Sequence, residues 1–387
     1  MAVAACGQRK PAAAPAPVPA AAPLIPRVDL FGDAVRQKAQ LSPQGDQIAF
    51  LAPKDGTLNV WVMPANAPDQ AEPVTDDHGV GIRRFAWAED NKTILYLQDD
   101  QSDENWRLYA VPIAGGAPAR PLTPVGARAD ILGLSPRDPG GVVVTLNARD
   151  PAWPDVVHID VATGAQTVLV RNSNANGRGF GDFVVDEDND VRLGLRSLPD
   201  GGMGVFARAS GRWTKLFDIP FEDAMSSAPL AFEASGKTFL MLDSTGRDRA
   251  ALMRVDAVTG AKTLLGESQR ADVVDAWLNP TTHEPEAFVA DYLRPEWRAL
   301  DTEAQGDLDF LDSQLEGEPK VVSRSLDDKR WIVVEDGPTT PTRSYLYDRS
   351  DLTNRKLTLL FRHRPSLEGA PLQPMTPIEI EARDGLT

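Results

Sequence analysis

The sequence predicts an all-β fold: a seven-bladed β-propeller with four-stranded blades and a short helical insert in blade 6. Three observations carry that expectation. From residue 27 onward, short alternating apolar runs are closed by Gly, Pro, Asn and Asp every 8–12 residues, the rhythm of strands and hairpin turns. The turn Asp160–Gly164 recurs 96 residues later as Asp256–Gly260, and half that step falls on Pro112–Ala117. Strand anchors then follow near Val60, Leu108, Val156, Val205, Leu252, Trp297 and Tyr345, at steps of 45–49 residues. A fixed period of this length marks a repeat architecture, in which each unit covers its neighbour's apolar face.

Within a repeat, the elements follow one another in a fixed order. A turn opens it, as in Leu41-Ser42-Pro43-Gln44-Gly45, and an alternating strand follows, Gln47-Ile48-Ala49-Phe50-Leu51. Counterparts are Trp87–Leu97 and Phe232–Leu242. A polar loop, a second strand, a Thr-Gly turn and a further strand complete a blade, and ring closure then removes the exposed edges of the sheets. The fourth repeat, 181–217, keeps its strands but lacks the turn motif. In the sixth, Trp297–Leu311 has helical apolar spacing, which predicts the helical insert.

Ahead of the repeats, residues 11–26 hold six Pro and seven Ala in sixteen positions with no charge. Such a stretch favours extended polyproline II and reads as a disordered tether. Before it, Val3-Ala4-Ala5-Cys6 is similar to a bacterial lipobox, in which the Cys carries the lipid. Five residues before Cys6 are too few for a charged region plus an apolar region of a signal. Either the leader is missing and Cys6 is a lipid anchor, or Cys6 is an ordinary thiol; the spacer behind it favours the anchor. The expected organisation is therefore 1–26 tether, 27–373 propeller and 374–387 a separate stub.

The composition sets outer limits. Against 40 basic residues stand 56 acidic ones, for a formal charge of −16, which argues against nucleic acid as a partner. One Cys among 387 residues excludes a disulfide framework and Cys-cluster metal sites. Four His without paired spacing give no metal centre, and no cofactor is expected. Ser235-Gly236-Lys237-Thr238 resembles the end of a phosphate loop, but Ala231 stands where the first glycine belongs, so it reads as a hairpin turn. The acidic stretches Asp186–Asp190 and Asp99–Glu104 lack the spacing of known calcium loops and read as solvated turns.

The Ser-Pro-x-Gly turn before the inner strand resembles that of TolB-like and prolyl oligopeptidase propellers. Phe85–Asp90, Leu95–Leu97, Asp103–Tyr109 and Leu146–Pro151 together resemble the bacterial S9 (prolyl oligopeptidase) serine peptidases, over roughly residues 28–387. At the C-terminus, Pro377–Glu381 alternates apolar and polar residues before an Asp384-Gly385 turn, similar to the first strand of the α/β-hydrolase domain in that family. The resemblance implies a non-catalytic propeller half of an exported, periplasmic peptidase, with a C-terminal hydrolase domain as partner and short peptides as substrates. The nucleophile elbow G-x-S-x-G is absent, so no catalytic residue is expected in these 387 residues. Some family propellers use acids to hold the substrate's free amine, and Asp103, Glu104 and Asn105 are the corresponding substrate-binding candidates here. The other reading is a free-standing TolB-like propeller that binds a protein partner.

Overall fold

The computed structural model describes residues 24–99, 102–114 and 116–385. These residues form seven antiparallel sheets, each built from consecutive strands. All seven anchor residues fall on the third strand of successive blades: Thr57–Pro64, Arg107–Pro112, Asp155–Asp160, Met203–Ala209, Ala251–Asp256, Pro295–Ala299 and Arg343–Asp348. First strands of adjacent blades lie side by side and so line the axis of a β-propeller.

Each blade is buried on both faces, which explains why its second strand is almost continuously apolar. In Gln47–Lys54, Ile48 and Phe50 pack with Ile332 and Phe361 of blade 7. Ala49 and Leu51, pointing the other way, pack with Phe85 and Trp87 of blade 2. Val142 and Val144 likewise join the core shared with blade 2, while Val143 joins the one shared with blade 4. A period of two with both phases apolar is what a sheet between two other sheets requires.

The sixth sheet departs from the expected pattern. It has three strands, Val273–Leu278, Pro285–Asp291 and Pro295–Ala299. The helix Thr302–Gln314 stands in place of the fourth strand, and Trp297 belongs to the third strand rather than to the helix. Asp301 caps the helix, its carboxylate accepting from the amides of Glu303 (2.9 Å) and Ala304 (2.8 Å). Asp307 is fully buried and pins the helix to blade 7 through Arg349 (2.8 Å), Arg355 (2.7 Å) and the Tyr347 hydroxyl (2.5 Å). The fourth blade closes its outer hairpin with a tight Ser210-Gly211 turn, both residues at positive φ, which is why the Thr-Gly motif is missing there.

No sheet mixes strands from the two ends of the chain: the first uses Gln37–Pro73 and the last Glu318–Arg362. Side chains and loops close the ring instead. The Leu41 amide donates to Ser323 Oγ (2.9 Å), Leu326 N–H to the Pro43 carbonyl (2.8 Å) and Val35 N–H to the His363 carbonyl (2.9 Å).

The antiparallel order gives the ring two distinct ends. Turns between first and second strands, such as Ser42–Asp46, lie at one end. Loops between second and third strands lie at the other, with the connections from blade to blade and both approaches of the chain to the ring. Arg364 donates to the Gly32 carbonyl (2.7 Å), and Tyr292 hydrogen-bonds Glu379, so the C-terminal segment also lies at this exit end. Residues 371–382 form no strand, and Ile378 and Ile380 are exposed. Among the described residues no helix is long and apolar enough to cross a membrane.

Candidate functional site

The exit end carries a cavity of about 430 Å³. Its wall comes from the starts of three first strands: Asp182–Val185 of blade 4, Ala228–Phe232 of blade 5 and Val273–Leu278 of blade 6. The cavity also reaches the second and third strands of blade 4 and the second strand of blade 5, so it lies between successive blades at the exit end. Leu195, Met203, Leu242 and Val273 make its lining apolar. Met225 is 97% exposed at the rim, with Val274 and Phe221 also open to solvent.

The polar groups are few and held in place. Ser244 Oγ bonds Ser226 Oγ (2.8 Å) and donates to Asp223 (2.8 Å), while its amide donates to Ser227 Oγ (2.9 Å). Asp272 accepts from the Ala250 amide at 2.7 Å. Asp182 keeps exposed surface, yet crowding around its carboxyl raises its pKa, against the opposing pull of the Phe183 amide at 2.8 Å. An apolar lining with two carboxylates, Asp182 and Asp272, suits a small ligand bearing an apolar group and a cation.

The loop predicted to bind substrate lies at the same end, between the second and third strands of blade 2. Asp99 organises it: its carboxylate accepts from the amides of Asp103 and Glu104, each at 3.0 Å. Asp103 in turn accepts from the Asn105 amide (3.0 Å) and side chain (2.9 Å), and these bonds hold its carboxyl below the ordinary value. Asp103 and Asn105 thus fold their own loop, and Glu104 stands exposed beside them. Among the described residues no hydrogen bond or ion pair links these three to the cavity wall.

Other motifs resolve into turn chemistry. Asp186 accepts from the amides of Asp188 (3.0 Å) and Asp190 (3.1 Å) and pairs with Arg192 at 2.5 Å. Ser235–Lys237 is the turn between the first two strands of blade 5. Among the described residues no cluster of three or more His, Cys, Asp or Glu could hold a metal. Cys6 and residues 1–23 of the tether lie outside the described residues.

No family model matches the chain. Dipeptidyl aminopeptidase BIII of Pseudoxanthomonas mexicana is 42% identical over 366 residues, covering 94% of this chain and 52% of the relative. The chain is a propeller homologous to about half of that peptidase. Dipeptidyl peptidase family member 6 of Caenorhabditis elegans is 26% identical over 94% of the chain and 50% of that protein. Among solved structures, a prolyl endopeptidase matches with a TM-score of 0.59 at 14% identity, covering 84% of this chain and 50% of its own. Prolyl oligopeptidase B from Galerina marginata gives 0.60 at 12%, over 92% and 54%; both show the shared fold. The chain spans about half the length of these peptidases.

Asp182 and the cavity around it had not been expected from the sequence. Its signal was present only as the residue that begins the inner strand of blade 4. Nothing local marks residues 182, 228 and 273 as neighbours; the ring brings them together.

Proposed function

We propose that the chain is the substrate-filtering half of a serine peptidase that acts on short peptides. A catalytic α/β-hydrolase half covers the exit end, so substrates reach the reacting groups only through spaces that folded proteins cannot enter. The observation that carries this reading is the 42% identity across 94% of the chain to one half of a dipeptidyl aminopeptidase. The exit end supports it, since the C-terminal segment lies there, with Glu379 bonded to Tyr292 of blade 6. Asp182 at the cavity edge would attract the free amine of a peptide, with Asp272 in the same lining and Glu104 a further carboxylate on the same face. On this reading Cys6 is lipidated, the protein is periplasmic, and the Pro/Ala stretch holds the ring off the membrane.

The test is to express the reading frame continued past codon 387 and measure hydrolysis of dipeptidyl aminomethylcoumarin. The expected result is a G-x-S-x-G serine in the continued frame and cleavage of short peptides with folded proteins spared. Asp182→Asn should raise KM for substrates with a free amine and leave N-acetylated ones unchanged. A stop codon directly after Thr387, or no hydrolysis of short peptides, would overturn the proposal.

A further inference from the structure

Between blades 3 and 4 lies a second cavity of about 560 Å³. Arg171, Arg178, Arg196 and Arg212 all line it, together with Phe180, Phe206 and Trp213. The four cations come from three separate elements: the connection between the blades, the second strand Val191–Ser197 and the fourth strand Arg212–Ile219. Their meeting is therefore a product of the fold.

Among the described residues, no carboxylate lies within 4 Å of any of the four. Four such cations lining one cavity stand out in a chain with 56 acidic and 40 basic residues. Many other arginines are matched closely, as in Arg192–Asp186 (2.5 Å), Arg254–Glu233 (2.6 Å) and Arg324–Asp328 (2.5 Å). Asp155, which feels the charge of Arg171, is already gripped through both oxygens by Arg149 at 2.7 and 2.9 Å.

Arg196 is the fixed centre of the site. Its guanidinium lies 4.4 Å from the centres of both the Phe180 and Phe206 rings and donates to the carbonyls of Arg178 (2.7 Å) and Gly179 (3.2 Å). Burial and the neighbouring charge of Arg178 lower its pKa. Like charges gathered without a counter-ion repel one another, and an oxyanion between them would relieve that repulsion through charge-assisted hydrogen bonds. The rings of Phe180 and Trp213, with centres 4.4 Å apart, supply an apolar wall beside the charges.

We propose that the cavity binds an organic oxyanion, a phosphate or carboxylate carried on a compact aromatic body. This site is separate from the peptidase reading and does not depend on it. Its volume falls in the range of small-molecule sites, about 300–1,000 Å³.

The test is isothermal titration calorimetry of the protein with phenyl phosphate, benzoate, inorganic phosphate and phenol. Saturable binding of phenyl phosphate or benzoate, tighter than inorganic phosphate and absent for phenol, is expected. Which of the two organic anions binds more tightly assigns the headgroup. Arg178→Gln with Arg212→Gln should weaken binding about tenfold or more, the loss from removing a single charged hydrogen bond. That pair should not lower the melting temperature, since it removes like charges, and a distant control, Lys237→Ala, should leave binding unchanged. No saturable binding, equal binding of phenol, inorganic phosphate as tight as the aromatic anions, or no effect of the double substitution would overturn the proposal.

Discussion

Glu89 offers a sharp test of how the ring is held at its turn end. It belongs to the turn between the first and second strands of blade 2, and its Oε2 is buried without a hydrogen-bond partner. Burial first, then the charges of Glu187 and Asp90, push its carboxyl up from 4.5 to about 7. Glu187 is itself held by His283 Nε2 at 3.1 Å and by Ser135. A carboxyl with a raised folded pKa favours the protonated form in the folded state. Its stabilising contribution is therefore full below pH 4.5 and is lost as pH rises toward 7. The loss approaches about 3 kcal/mol at alkaline pH. Glu89→Gln removes the titration but keeps the shape. Any cost of the buried amide is the same at every pH, so the pH difference isolates the charge. Thermal melts of the protein and the variant at pH 4.5 and 8.5 should show the variant gaining about 4 °C relative to the parent between the two conditions, given the entropy of unfolding a chain this size. A gain that is the same at both pH values would refute the buried, like-charged setting assigned to Glu89.

Three further outcomes follow from other parts of the ring. His363, buried and bonded to Ser344 Oγ at 2.8 Å, has its pKa pushed down to about 4, so the folded state holds it neutral. Stability should fall as pH drops from 6.5 toward 4, by about 3 kcal/mol, and His363→Gln should flatten that limb in urea titrations. Phe361 closes the seam between blades 1 and 7, with its ring 5.4 Å from Phe50 and Arg36 lying 5.2 Å from the Phe50 ring. Phe361→Ala should cost about 3–5 kcal/mol in urea unfolding; a cost under about 1 kcal/mol would show that the seam is held elsewhere. Asp301→Ala should cost about 1 kcal/mol through loss of the helix cap, with the added amide exchange confined to the first turn of Thr302–Gln314.

The blades were legible because their turns are local chemistry. Asp160 accepts from the Thr163 amide at 2.6 Å ahead of Gly164 at φ +77°, and Asp256 does the same with Thr259 at 2.7 Å ahead of Gly260 at +71°. Identical needs select identical residues, so the period shows. Blade 6 was legible only in part. Trp297 fits a helical apolar spacing, but it packs 4.7 Å from Trp277 as a strand residue, and tertiary contact decides. The site was the least legible. Asp103, Glu104 and Asn105 were singled out by the family resemblance, and their bonds to Asp99 and to one another fold the loop that holds them. The exit-end cavity depends on residues about 45 positions apart that only the packing of successive blades makes adjacent.

The central claim is that a catalytic half covers the exit end of this propeller. Met225 and Lys237 lie at opposite ends of blade 5 and are both exposed here. In a Cys6→Ser background of the full-length protein, Met225→Cys and Lys237→Cys can each be tested for maleimide labelling. The thiol at position 225 should be protected and the one at 237 should react freely. Equal, rapid labelling of both would contradict it.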